Sequence, residues 1–105
     1  MSDNRNFRNS IDVVGLKKSI DPVQFYQKEG QEVNTSGGNP WRDAGVCPFH
    51  EDREAGSFFI HRGSGAFKCF ACDCKGGDII AFTQKMHDMS FYDAIKKLAR
   101  EWRVS

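Results

Sequence analysis

Cys47-Pro48-Phe49-His50 and Cys69-Phe70-Ala71-Cys72 decide the fold of this chain, and residues 51–68 separate them. Zinc prefers four thiolate or imidazole ligands in a tetrahedron. Two such residues with two others between them can reach one ion from a single tight turn, a knuckle. Two knuckles separated by about 15–20 residues are typical of a structural zinc site. The sequence therefore predicts one structural Zn²⁺, bound by Cys47, His50, Cys69 and Cys72.

The fourth ligand has an alternative in Cys74, which follows Cys72 by two positions and offers the same thiolate. We favour Cys72 because two intervening residues form the commoner knuckle. His61 and His87 have no partner at knuckle spacing, so we expect both rings to face solvent.

Other cysteine chemistries fit less well. Disulfides need an oxidising compartment, and we recognise no signal peptide. A zinc deaminase carries His-x-Glu and Pro-Cys-x-x-Cys, whereas here Glu51 directly follows His50 and Lys68 precedes Cys69. We find no nucleophile with a base and no metal site with an open position, so we expect no catalytic centre of the chain's own.

Length and composition indicate one small domain at residues 11–105, after a disordered N-terminus at residues 1–10, and the helix and strand patterns described below make it α+β. The chain has 105 residues and is 39% hydrophobic, and metal binding commonly supplements so modest a core. A net charge of +1 creates no global basic field. No apolar run approaches the ~20 residues that span a bilayer, so we expect no membrane contact. Without a targeting segment, and with thiols committed to metal, we expect a reducing cytoplasm.

Capping residues and apolar periodicity predict the helices. Asp21-Pro22 begins a short helix at 22–28, and a weaker pattern favours another within 11–20. Residues 75–78 are expected to end a strand, with Asp78 capping a helix whose apolar positions are Ile79, Phe82 and Met86. Ser90 caps the last helix. Its apolar stripe is the most regular in the chain: Phe91, Ala94, Ile95, Leu98, Ala99 and Trp102.

Residues 57–61 and 66–70 predict a β-hairpin, with a glycine-rich loop at 62–65 between them. Alternate side chains of a strand share one face. Phe67 and Cys69 should therefore face the metal and the core. The opposite face should mix aromatic side chains with Lys68.

The whole set of motifs resembles the zinc-binding domain of bacterial DNA primases of the DnaG type. The resemblance covers roughly residues 11–100 and rests on the two knuckles, on Ser57-Phe58, and on Gly76-Gly77-Asp78-Ile79-Ile80-x-Phe82. It implies a zinc ribbon on a small antiparallel β-sheet, flanked by N-terminal and C-terminal helices. It also implies that Cys47, His50, Cys69 and Cys72 are the zinc ligands.

The resemblance further implies a role in DNA replication. In that family the domain engages single-stranded template DNA and helps select where RNA primer synthesis begins. It works with a separate polymerase domain, and family members also contact the replicative helicase. This chain has no acidic cluster suited to catalytic Mg²⁺, so we expect an accessory domain of a primase, either excised or paired with a polymerase domain in trans.

Two departures from the family pattern stand out. Asp73-Cys74-Lys75 separates Cys72 from the glycine pair, where the family usually has two residues. The loop between His50 and Ser57 is one residue longer than expected. The first departure bears on the fourth ligand, and the second only lengthens a loop.

Single-stranded DNA binding needs cations for phosphates and aromatic faces for bases. The solvent face of the hairpin offers both, and the predicted contacts are Phe59, His61, Arg62, Lys68 and Lys75, with Phe70 and Trp41 beside them. The alternative is a zinc-stabilised protein interaction module that recruits a replication partner without binding DNA.

Overall fold

The computed structural model describes residues 12–49 and 56–104. This part of the chain forms four helices and four strands in this order: α1 (Val13–Ser19), α2 (Pro22–Lys28), β1 (Trp41–Asp43), β2 (Phe58–His61), β3 (Phe67–Cys69), β4 (Lys75–Gly76), α3 (Ile79–His87) and α4 (Phe91–Glu101). The predicted α+β class is confirmed. The predicted disordered segment 1–10 lies outside the described residues.

Each helix begins at a side chain that accepts a hydrogen bond from a backbone N–H of the first turn. The capping residues are Asp12, Asp21, Asp78 and Ser90. Such caps satisfy N–H groups that have no partner within the helix. The predicted starts at Asp21-Pro22, Asp78 and Ser90 are confirmed, and the helix expected within 11–20 is α1.

The strands form one antiparallel sheet in the order β1-β2-β3-β4. The sequence-based expectation that residues 75–78 only end a strand was wrong, because Lys75–Gly76 add β4. The turn after β3 reverses the chain, and the backbone N–H of Cys69 donates to the carbonyl of Cys74 at 2.8 Å. Residue 76 must be glycine, because a Cβ there would lie 2.4 Å from the ring of Phe67.

The core lies between the inner face of the sheet and the helices, and Phe82 of α3 is at its centre. Its ring centroid lies 4.8 to 6.4 Å from those of Phe25, Tyr26, Phe49, Phe58 and Phe67. Burial of a Phe side chain contributes about 1.5–3 kcal/mol. The Tyr26 hydroxyl donates to the carbonyl of Gly65 at 2.7 Å, which ties α2 to the hairpin loop.

The predicted division of the hairpin into two faces is confirmed. Phe58, Ile60, Phe67 and Cys69 are buried, while the side chains between them lie at the surface. Two helical positions were predicted wrongly, because Met86 and Phe91 lie at the ends of their apolar stripes and are exposed. No helix in the described ranges is long and apolar enough to cross a membrane.

Candidate metal centre and nucleic-acid interface

Three cysteine side chains meet at one end of the sheet. The Sγ atoms of Cys47, Cys69 and Cys72 all lie within 4.8 Å of one another, and those of Cys47 and Cys72 are 3.8 Å apart. The sulfur of Cys74 is outside this trio. The predicted fourth ligand, His50, lies outside the described residues and directly follows Phe49 in the chain.

Backbone turns aim these sulfurs at one point. Cys69 ends β3, and the N–H of Asp73 donates to its carbonyl at 2.9 Å, which closes the turn that carries Cys72. Asp73 has a left-handed φ of 62°. On the other side, the backbone N–H of Phe49 donates to the Cys47 sulfur at 3.4 Å.

Gln31 holds the chain segment that leads into the first knuckle. Its side-chain nitrogen donates to the carbonyls of Ala44 at 2.7 Å and of Val46 at 2.8 Å. This role of Gln31 was not predicted from the sequence, because only the tertiary fold brings its side chain beside the first knuckle.

The trio fits a tetrahedral metal. Sulfurs bound to zinc at about 2.3 Å lie about 3.8 Å apart in a tetrahedron, which is the separation of Cys47 and Cys72. Burial raises the pKa of the Cys47 thiol to about 12, and the backbone N–H of Cys74 lowers the pKa of Cys72 to about 6. A buried thiolate at Cys47 therefore needs a cation nearby.

The two histidines outside the knuckles have other partners. His61 Nδ1 accepts hydrogen bonds from the backbone N–H groups of Gly63 at 3.1 Å and Ser64 at 3.0 Å. His87 lies 3.2 Å from the carboxylate of Glu29. Neither histidine is part of the cysteine cluster that could hold a metal ion.

The solvent face of the sheet contains a hollow of about 270 Å³, lined by Trp41, Phe59, Lys68 and Phe70. We call it the aromatic hollow. Phe70 is 66% exposed and Trp41 is 42% exposed. The rings of Phe59 and Phe70 meet edge to face at 5.7 Å, and the Lys68 ammonium lies 4.9 Å from the centroid of Phe70. Such a surface offers ring faces and a cation together.

The structure brings most of the predicted nucleic-acid residues to this face. Phe59 lies directly opposite Lys68, and Lys68 lies opposite Lys75. His61 packs against the edge of Trp41 at 5.2 Å and braces the hairpin loop. Arg62 is exposed in that loop, away from the lining of the aromatic hollow.

A family model described as CHC2 zinc finger, of the DnaG zinc-ribbon type, matches residues 6–105. The chain belongs to this family. It is a zinc-binding domain of the DnaG primase type, as the resemblance of its motifs indicated. Membership of a zinc finger family and the cysteine trio, which could hold a metal ion, both support zinc binding.

Similar proteins are much longer than this chain. The chain is 33% identical over 91 residues to a DNA primase of Streptomyces coelicolor, and the match covers 87% of this chain and 13% of that protein. It is 42% identical over 89 residues to a DNA primase of Borreliella burgdorferi, covering 85% of this chain and 16% of that protein. The chain thus spans only a small part of these relatives.

A solved structure has the same fold. The crystal structure of the Aquifex aeolicus primase, with zinc-binding and RNA polymerase domains, matches with a TM-score of 0.66 and 31% sequence identity. The match covers 84% of this chain and 20% of that one. The predicted fold class is therefore supported by the architecture itself and by a solved relative.

Proposed function

We propose that this domain binds single-stranded template DNA on the solvent face of its sheet and helps to select where an RNA primer begins. The aromatic hollow is the observation that carries the proposal. The rings of Trp41, Phe59 and Phe70 line a surface hollow around Lys68, whereas rings that served only the core would be buried.

The hollow suits an unpaired base. Every base has a π face, so stacking on an aromatic side chain tolerates different sequences and contributes about 1–3 kcal/mol per base. Lys68 and Lys75 lie opposite each other on β3 and β4 and can neutralise phosphates of the same strand. Because these cations are few, we expect weak affinity with a small dependence on salt.

The proposed role of the metal is structural. One Zn²⁺ would be bound by Cys47, His50, Cys69 and Cys72, which leaves no position for water or substrate. Phe70 sits within the second knuckle, between two of these ligands. The metal would therefore fix the direction of a ring that lines the aromatic hollow.

The domain would act with a primase polymerase domain, in cis or in trans. This partner is inferred from relatives that are DNA primases and from the Aquifex structure, which comprises zinc-binding and RNA polymerase domains. In such an assembly the present domain would supply template contacts and the polymerase domain would supply catalysis. The replicative helicase is a further proposed partner, on the family resemblance alone.

A second candidate is a protein interaction module that does not bind DNA. It is favoured by apolar exposure on the helical side, where Val14 is 62% exposed and Phe91 is 47% exposed. Fluorescence anisotropy of labelled single-stranded oligonucleotides at low and moderate salt separates the two functions. Saturable binding that weakens with salt supports template binding, whereas no binding at low salt favours the interaction module.

A further inference from the structure

The aromatic hollow is the first of three hollows that adjoin one another across the molecule. The second, of about 410 Å³, shares Trp41 and Lys68 with it. The third, of about 610 Å³, shares Phe67 and Lys75 with the second and extends along α3. Their shared lining residues order them as a path from β1 across β3 and β4 to α3.

A lysine lies at each stage of this path. Lys68 lines the first and second hollows, Lys75 the second and third, and Lys85 of α3 the third. Gly76, which ends β4, and Gly77, which follows it, line the second hollow and contribute no side chain to it. Asp88 is the acidic residue in the lining of the third hollow.

The charges on the sheet give the path a direction. Four paired residues form one row across the sheet, in strand order: Asp43 on β1, Phe59 on β2, Lys68 on β3 and Lys75 on β4. The β1 side of this row is therefore acidic, and the β3–β4 side is basic. A phosphate backbone is favoured on the second side, because its charges are attracted there and repelled at Asp43.

We propose that single-stranded nucleic acid leaves the aromatic hollow over β4 and continues along α3, where Lys85 contacts a phosphate. This inference rests on the proposed function and adds an extended backbone track to it. Lys85 was not predicted from the sequence to contact nucleic acid, and it lies ten or more residues beyond every predicted contact. Only the fold places it beside Lys75.

The track predicts that Lys85 matters for long strands and not for short ones. We expect a strand of about 4 nucleotides to bind with a base in the aromatic hollow, whereas a strand of about 12 nucleotides should also reach α3; such lengths lie within the site sizes of known single-strand binders. Each phosphate contact on a single strand contributes about 0.7 to the slope of log K against log salt concentration.

The test compares Lys85→Gln with Lys96→Gln by anisotropy, using oligo(dT) of both lengths over a range of salt. Lys96 is a matched control, because it is an exposed helical lysine near an aromatic ring, 4.9 Å from Tyr92, as Lys85 is 5.8 Å from Phe49. We expect Lys85→Gln to lower the salt slope of the longer strand by about 0.7 and to leave the shorter strand unaffected. Lys96→Gln should change neither.

Three results would overturn the track. The first is an unchanged salt slope for the longer strand, and the second is equal weakening of both strands by Lys85→Gln. The third is loss of zinc from Lys85→Gln, which would place the lysine at the metal centre. If the unaltered protein binds neither oligonucleotide, the proposed function fails together with the track, so the two failures are distinguishable.

Discussion

The sulfur atoms of Cys47 and Cys72 lie 3.8 Å apart, although the two residues are 25 positions apart in the sequence. That distance is far longer than a disulfide bond of about 2.05 Å and equals the spacing of two ligands on one tetrahedral zinc ion. One cysteine precedes the hairpin and the other follows it. A metal held by both would therefore close the open end of the hairpin.

The first prediction concerns the metal ligands. Cys69→Ser should lose zinc and unfold, because Cys69 is fully buried and ends β3, and zinc-binding free energy serves as folding free energy in small metal-binding domains. Cys72→Ser should also lose zinc. Elemental analysis gives the metal content, and circular dichroism reports the fold.

Cys74→Ser is the matched control, because Cys74 lies outside the sulfur trio. It should keep the zinc content of the unaltered protein. Full zinc content and a native spectrum in Cys69→Ser would contradict the ligand assignment. Loss of zinc from Cys74→Ser but not from Cys72→Ser would show that Cys74, rather than Cys72, is a zinc ligand.

The second prediction concerns Gln31. Gln31→Ala removes two hydrogen bonds from the segment that leads into Cys47, and it should lower the unfolding free energy by about 1–2 kcal/mol. Zinc should also pass to a competing chelator faster, because the first knuckle loses its support. Gln27→Ala, on the exposed face of α2, is the control for both measurements. Equal chelator kinetics in the two variants would show that Gln31 does not support the metal centre.

The third prediction uses the two adjacent glycines before α3. A Cβ on Gly76 would lie 2.4 Å from the Phe67 ring, whereas a Cβ on Gly77 would meet no atom within 4 Å. Gly76→Ala should therefore destabilise the domain by about 1–3 kcal/mol through overpacking, and Gly77→Ala should be tolerated. Denaturant unfolding compares the two. Similar midpoints would contradict the close approach of β4 to Phe67.

The fourth prediction concerns base stacking. Phe70 is 66% exposed, so Phe70→Ala should change the unfolding free energy by about 1 kcal/mol or less. It should weaken oligonucleotide binding by about 1–3 kcal/mol, which is about 5-fold to 150-fold in Kd. Phe91→Ala removes a comparably exposed ring from the helical side and should leave Kd unchanged. Equal effects of the two substitutions would remove Phe70 from the interface.

Local patterns were sufficient to predict much of this fold. Asp21, Asp78 and Ser90 cap helices because short polar side chains satisfy nearby N–H groups, which depends only on neighbouring residues. The alternation of Phe58 and Phe59 between core and surface follows from strand geometry. These features require no knowledge of distant contacts.

The features that the sequence analysis missed depend on contacts between distant parts of the chain. β4 has two residues and no hydrophobic period, and it forms because the second knuckle returns the chain alongside β3. Gln31 and Lys85 reach their sites only after α2 and α3 pack against the sheet. Met86 and Phe91 follow a helical period, but each lies where its helix leaves the core.

The central claim, that an unpaired strand lies on the solvent face of the sheet, is tested most directly by the fluorescence of Trp41. The chain has two tryptophans. Trp102→Phe should preserve the fold, because Trp102 Nε1 is buried without a hydrogen-bond partner in the described structure, and it leaves Trp41 as the sole reporter. Titration with a single-stranded oligonucleotide should quench this signal saturably, while Trp41→Phe, which retains Trp102, should show no change. Saturable binding by anisotropy with unchanged Trp41 fluorescence would contradict the account.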